Sequence, residues 1–207
     1  MKRLHTLIIL VYASLIVISP VLGTKVVDIF GVKFTAGVFT ILAGFALLDV
    51  VNELWGPKDA RFLAIAIVLI RVVLFAAVVP LIVLLPAYLE PPGYAGVLHT
   101  SVRTFIASEA NTLVQNVFID IPIFHRLKKI KFGFYFRANV TNLISWTFGS
   151  VVFVLISYLG SGKPLLPVMA GQTLIKFPFS FLYSWIGLLL VKKARAMRAA
   201  ERPAAEI

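Results

Sequence analysis

Apolar residues in this chain neither alternate nor recur only at three- and four-residue intervals; they run on in six long stretches. A hydrocarbon layer of about 30 Å takes roughly 20 residues of α-helix to cross. Runs of that order lie at about Leu4–Leu22, Phe34–Leu54, Phe62–Leu85, Leu98–Phe124, Phe134–Leu159 and Leu165–Val191. Membrane β-strands would read as segments of about ten residues alternating apolar and polar. Continuous runs instead predict an all-α integral membrane protein, a bundle of six transmembrane helices in a single domain over residues 1–191. Residues 192–207 then form a basic cytoplasmic tail, solvated and frayed toward its end.

Composition agrees: 60% of the 207 residues are hydrophobic and mean hydropathy is +0.96, against roughly 45–50% apolar content in soluble domains. The first run follows Met1-Lys2-Arg3, as a signal peptide would, but it is long and shows no small-x-small cleavage site, so it is expected to remain as a helix. Without cysteine there are neither disulfides nor thiolate metal sites, and no cofactor or metal is expected. A net charge of +11 would suit nucleic acid, but the positions of the charges argue for topology. With the N-terminus inside, fourteen of the 20 Lys and Arg lie on the inner side, and only Lys25, Lys33 and Lys163 outside. The positive-inside rule therefore predicts both termini in the cytoplasm and a multi-pass protein of the cytoplasmic (inner) membrane. The basic, aromatic stretch His125–Arg137 reads as an inner loop at the lipid surface, with no nucleic-acid partner.

Three bases, Arg71, Arg103 and Lys176, fall within spans. A charge near the bilayer centre costs at least about 2.5–3.5 kcal/mol, so such residues turn inward and pair or line a path. The fourth span carries Arg103, Ser108, Glu109, Asn111, Gln115, Asn116 and Asp120. On a regular helix Glu109, Asn116 and Asp120 point within roughly 20° of one direction and form an inward stripe. In the second span Asp49, Asn52 and Glu53 share a face. Glu53 lies near the inner interface, within reach of Lys58 or Arg61, whereas Asp49 is deeper. Down one side of the sixth span run Gln172, Lys176 and Ser180, with Pro178 interrupting the backbone ladder. In the fifth, Asn139, Asn142 and Trp146 are ligand candidates, and Thr141, Ser145 and Ser150 suit interhelical packing.

Four stretches resemble the queuosine-precursor transporters, also called the vitamin uptake transporter family. "DVVNELWGPKDAR" is similar to the family's D-x-x-x-E-x-aromatic-G-x-x-x-A-R block through Asp49, Glu53, Trp55, Gly56, Ala60 and Arg61. "RTFIASEANTLVQNVFIDIPIFHRLKK" matches through Arg103, Ala107, Ser108, Asp120 and Phe124. There the family's Ser-Gln pair falls on Asn116 and Val117, and the distance from Ser108 is one residue longer than the family's. "FRANVTNLISWTFGSVVF" resembles the fifth span, with Gly149 in place of a second aspartate and Trp146 in place of a glutamine. "LGTKVVDIFGVKFTAGVF" is a looser likeness to the first outer connection. Asn116, Asp120 and Phe124 also recur as Ser145, Gly149 and Phe153 at equal spacing, a faint internal repeat.

The resemblance implies import of a small molecule, a 7-deazaguanine base such as the queuosine and archaeosine precursors preQ0 or preQ1, across the lipid bilayer. A guanine-like edge offers adjacent N–H donors to a carboxylate, and its carbonyl accepts from Asn, Arg or Lys. On this expectation Glu109 or Asp120 takes the donor edge, Asn116, Asn139 and Asn142 orient the base, and Trp146 stacks on it. Arg103 and Lys176 then balance buried acids in the substrate path, while Asp49, Glu53 and Arg71 serve coupling or gating. Transport is expected to be secondary, with proton coupling one option and a homo-oligomer left open. The alternative is the substrate-binding membrane subunit of an ATP-driven importer of vitamins or nucleobases. Gly160–Pro164, "GSGKP", lacks the Ser or Thr of a phosphate loop, so no ATPase is built in. An enzyme is not expected: His5, His99 and His125 are scattered, and neither H-E-x-x-H nor G-x-S-x-G occurs.

Overall fold

The structure is a computed structural model that describes residues 2–84 and 94–201. Helix α1 (Lys2–Gly23) leads into a hairpin of β1 (Val26–Ile29) and β2 (Val32–Thr35), then α2 (Val38–Leu54) and α3 (Pro57–Leu84). Next comes one continuous rod made of α4 (Tyr94–Thr112), a π-helical segment (Leu113–Asp120) and α5 (Ile121–Lys129). Helices α6 (Phe134–Tyr158) and α7 (Leu165–Glu201) complete the chain.

Four helices, α1, α3, α6 and α7, are long and apolar enough to cross a membrane. The second and fourth predicted spans correspond to α2, which has only 17 residues, and to the polar rod. Of these α2 lies deepest, while the rod buries a polar face and leaves Ile106 and Phe118 exposed on its other side. α2 packs against α1, α3 and α7, and the rod packs along α6. Groups that lipid cannot hydrogen-bond are thereby enclosed by helices whose outer faces are hydrocarbon.

Three departures from the sequence expectation matter for the site. The second run was expected to be helical from Phe34, but Phe34 and Thr35 end β2. Val27 and Val32 alternate there with Asp28 and Lys33, a period of two, and the positive φ of Phe30 (52°) and Gly31 (81°) makes a two-residue hairpin turn. Across it Lys33 Nζ reaches Asp28 Oδ2 at 2.8 Å, and this ammonium holds the Asp28 carboxyl below its ordinary range. The hairpin is fixed to α7: Gln172 Nε2 donates to Thr35 Oγ1 at 2.9 Å. Beside that bond a Cβ on Gly171 would come within 1.9 Å of the Lys33 carbonyl oxygen.

The second departure is the π segment, where the Ile121 N–H bonds the Asn116 carbonyl five residues back. A wider turn rotates each residue by less than 100°, so the stripe expected from a regular helix is broken. The third is the C-terminal end. The stretch read as solvated tail continues α7 to Glu201, with Val191 and Ala194 buried. Arg195 pairs there with Glu53, and Arg198 Nη2 donates to the Leu54 carbonyl at 3.0 Å.

Candidate functional site

At the basic end of the bundle the buried Glu53 carboxylate gathers three bases from three elements. Arg137 of α6 lies at 2.8 Å, Lys128 of α5 at 3.1 Å, and Arg195 of α7 touches the other oxygen. Its partners are thus not Lys58 or Arg61, the neighbours in sequence. The Gly56-Pro57 turn sends α3 away from α2, Gly56 taking a φ of +103° and Pro57 opening the next helix. One acid therefore joins four elements at this end, and the hairpin lies at the other.

Between the two ends runs a seam of buried polar side chains. Asp49 of α2 and Asp120 at the end of the π segment are side by side, with Thr141 of α6 against Asp120 and the Arg137 charge acting on Asp49. Two carboxylates offer each other only acceptors, so the pair calls for a donor between them, either a proton or a ligand N–H. Around it Asn52, Asn116 Nδ2, both amide atoms of Asn142, Ser145 Oγ and Trp146 Nε1 are buried with no hydrogen-bond partner among the described residues. Native interiors leave few such groups, and clusters of them mark places where something else binds.

Some residues of this seam also line a cavity of about 290 Å³ between α6 and α7, whose surface is almost wholly apolar. Its walls include Asn139, Asn142, Trp146, Lys176 and Ser180, and its rim carries the exposed rings of Phe136, Phe177 and Phe181. Lys176 is buried, and its Nζ donates to Ser150 Oγ at 2.8 Å and the Trp146 carbonyl at 3.4 Å. Among the described residues no carboxylate pairs with it. Asn139 is already engaged: its Nδ2 donates to the Tyr135 carbonyl (2.8 Å) and its Oδ1 accepts from Ser180 (2.9 Å).

Two expected members lie elsewhere. Glu109 is turned toward α3, its Oε1 2.6 Å from Arg71 Nη2 in a pair whose side chains are only 9% and 3% exposed. Ser108 Oγ accepts from the same guanidinium at 3.3 Å, and the Phe105 ring lies 5.6 Å from it. Arg103 does not enter the seam. It donates to the Ile156 carbonyl (3.2 Å) and the Leu159 carbonyl (2.6 Å), the free acceptors at the C-terminus of α6, where a cation also suits the helix dipole.

The family model described as "Putative vitamin uptake transporter" matches residues 35–190, most of the chain. The chain belongs to this family. It is a multi-pass membrane transporter, and the matched range takes in the acid pair, the cavity and Lys176. No curated protein and no solved structure matches it.

Within this vitamin uptake transporter the π segment lies between Ser108 and Asp120, and its wider turns set these two polar side chains on different faces of the rod. Two residues outside the expected set also enter the site. Arg137 was counted only as an inner-side charge, although aromatic neighbours and an acid two helices away draw it into the bundle, 4.5 Å from the centre of the Phe124 ring. Gln115 is wholly buried against Gly149. Polarity in a span was the available signal for Gln115; its inward direction depends on the π turn.

Proposed function

We propose that this transporter imports a 7-deazaguanine base, a queuosine or archaeosine precursor, through a six-crossing bundle in the cytoplasmic membrane with both termini inside. The observation that carries this reading is the polarity of the seam: acids at one end, a lone ammonium at the other, and unsatisfied amides and an indole between them. The N–H edge of a guanine-like base suits Asp49 and Asp120, and its carbonyl side suits Lys176. Asn116 and Asn142 orient the base and Trp146 gives a stacking face. Thr141, beside Asp120, and Ser150, beside Lys176, are nine residues apart on α6, a rise of about 13 Å. A substituted bicyclic base with a hydrogen bond of about 2.9 Å at each end fills a gap of that order.

In this reading the Glu53 cluster closes the cytoplasmic mouth, and Arg71 with Glu109 ties α3 to the rod. Gathering of bases around Glu53, opposite the hairpin, supports the orientation given by the positive-inside rule. Transport is secondary, and the acid pair is the place for a coupling proton.

The test is uptake of labelled 7-deazaguanine precursors into liposomes containing this protein alone, with and without an inward proton gradient. Saturable uptake that the gradient accelerates and Asp120→Asn abolishes is expected, with protein levels equal. Binding without uptake would replace secondary transport with a partner-driven importer, and no binding would overturn the substrate assignment.

A further inference from the structure

The cavity between α6 and α7 is a groove with almost no polar surface, although polar side chains stand in its wall. Those side chains are turned away from it. Lys176 Nζ bonds Ser150 Oγ and the Trp146 carbonyl, Asn139 is held by the Tyr135 carbonyl and Ser180, and the Asn142 amide and the Trp146 indole N–H are enclosed. Phe136, Leu143, Phe177 and Phe181 are exposed along its edge, so the groove opens sideways, toward lipid. Along α6 its wall runs from Tyr135 to Thr147, a rise of about 18 Å, and one leaflet of the hydrocarbon layer is about 15 Å deep. The groove begins at the basic end of the bundle. There Phe132 stacks on Phe136 with ring centres 4.6 Å apart, and the exposed Trp185 lies one turn past Phe181 on α7. Just beyond are three exposed bases: Lys129 at the end of α5, Lys131 in the turn that follows, and Lys192 on the α7 face that carries Trp185. Their neighbours Lys128 and Arg195 meet at Glu53, which brings the two groups side by side. Among the described residues none of the three pairs with an anion, and neither 125–136 nor 181–200 contains an acid.

We propose that this groove holds one acyl chain of an anionic phospholipid from the leaflet at the basic end, with the headgroup phosphate among Lys129, Lys131 and Lys192. Charge selects the headgroup, because unpaired ammonium groups at a membrane surface attract anionic lipids. Tyr135 and Trp185 stand at headgroup level, as interfacial aromatics do. Depth selects the chain: the groove is about one leaflet long and offers a polar solute nothing to bond. A second copy of the protein is the rival occupant. Membrane helices pair through small residues that allow close approach, however, and this edge carries protruding phenylalanines. The chain closes the bundle on the side of Trp146 and Lys176, whichever solute the seam carries.

The experiment uses lipids brominated along their chains, which quench a tryptophan on contact. In the full-length Trp55→Phe/Trp185→Phe variant the buried Trp146, in the groove wall, is the one tryptophan left. This protein is placed in phosphatidylcholine nanodiscs with rising fractions of brominated phosphatidylglycerol or, separately, brominated phosphatidylcholine. Half-quenching is expected at a mole fraction at least about fivefold lower for the anionic lipid. Adding Lys129→Gln, Lys131→Gln and Lys192→Gln together is expected to remove that preference, and Thr147→Phe, which fills the groove, to protect Trp146 from both lipids. Should the double tryptophan variant fail to fold, native mass spectrometry of the unaltered protein and of the triple lysine variant decides, with phosphatidylglycerol retained by the first and lost from the second. Equal quenching by both lipids, or equal retention by both proteins, overturns the inference. Quenching by neither lipid also overturns it, and a dimer in that case places a second copy over the groove. Uptake of the 7-deazaguanine base is a separate measurement, so the substrate reading stands or falls independently.

Discussion

Helices α2 and α3 are joined by a two-residue turn and both read as greasy, yet they play opposite parts. In α2 nearly every side chain is buried, and Asp49, Asn52 and Glu53 are as enclosed as Leu42 and Leu48. In α3 one strip turns inward, Ala60, Leu63, Ala64, Ile67, Val68 and Arg71, while Phe62, Leu69 and Val73 on the other sides are exposed. The inward strip follows the three- and four-residue spacing of a single helix face, and its two alanines let a neighbour approach closely. In water the apolar face of a helix is the buried one. Here both faces of α3 are apolar and lipid solvates one of them as well as protein would, so polar pairing and close packing decide what goes inside. α2 holds the acids because it is the helix that lipid does not touch.

The contrast is most directly broken at Glu53. Glu53→Ala leaves Arg137 buried without its anion, and a loss of about 3–5 kcal/mol is expected, read as a fall in thermal stability of the purified protein in detergent. Stability equal to that of the parent would show that the cluster is not structural. The one inward charge of α3 sharpens the comparison. Glu109→Leu should destabilise strongly by itself, and adding Arg71→Leu should recover part of the loss, since replacing both members of a buried pair by apolar groups is often neutral. A coupling energy of about 1–3 kcal/mol in the double-mutant cycle is expected; additive losses would mean that the two charges do not sense each other. The smallest effect belongs to the outer face of α3, where Val73→Ala is expected within about 0.5 kcal/mol of the parent. A larger loss would place that face against protein rather than lipid.

Much of the site could be read along the chain because charged and amide side chains inside apolar runs have few places to go. Asp49, Asp120, Asn142 and Lys176 were marked by that rule, and they lie on four different elements, α2, the π segment, α6 and α7. The rule gives no direction around the helix axis where the turn is irregular. Glu109 and Asp120 were expected on one stripe; the π segment separates them, one toward Arg71 and the other toward Asp49. Arg103 was marked by the same rule and instead caps a helix end, where carbonyls without an intrahelical donor accept from its guanidinium.

By itself, then, the sequence determined a helical membrane protein, the family, and which residues are too polar to face lipid, since these depend on composition, run length and local motif. Tertiary structure decided the partners. Glu53 finds bases 75, 84 and 142 residues away rather than those just beyond the turn. Gln115 fills a notch in another helix, and a hairpin replaces the first turn of an expected span. Each choice depends on which surfaces meet across the bundle, and the energies of burial and pairing that settle it do not exist until the helices have packed.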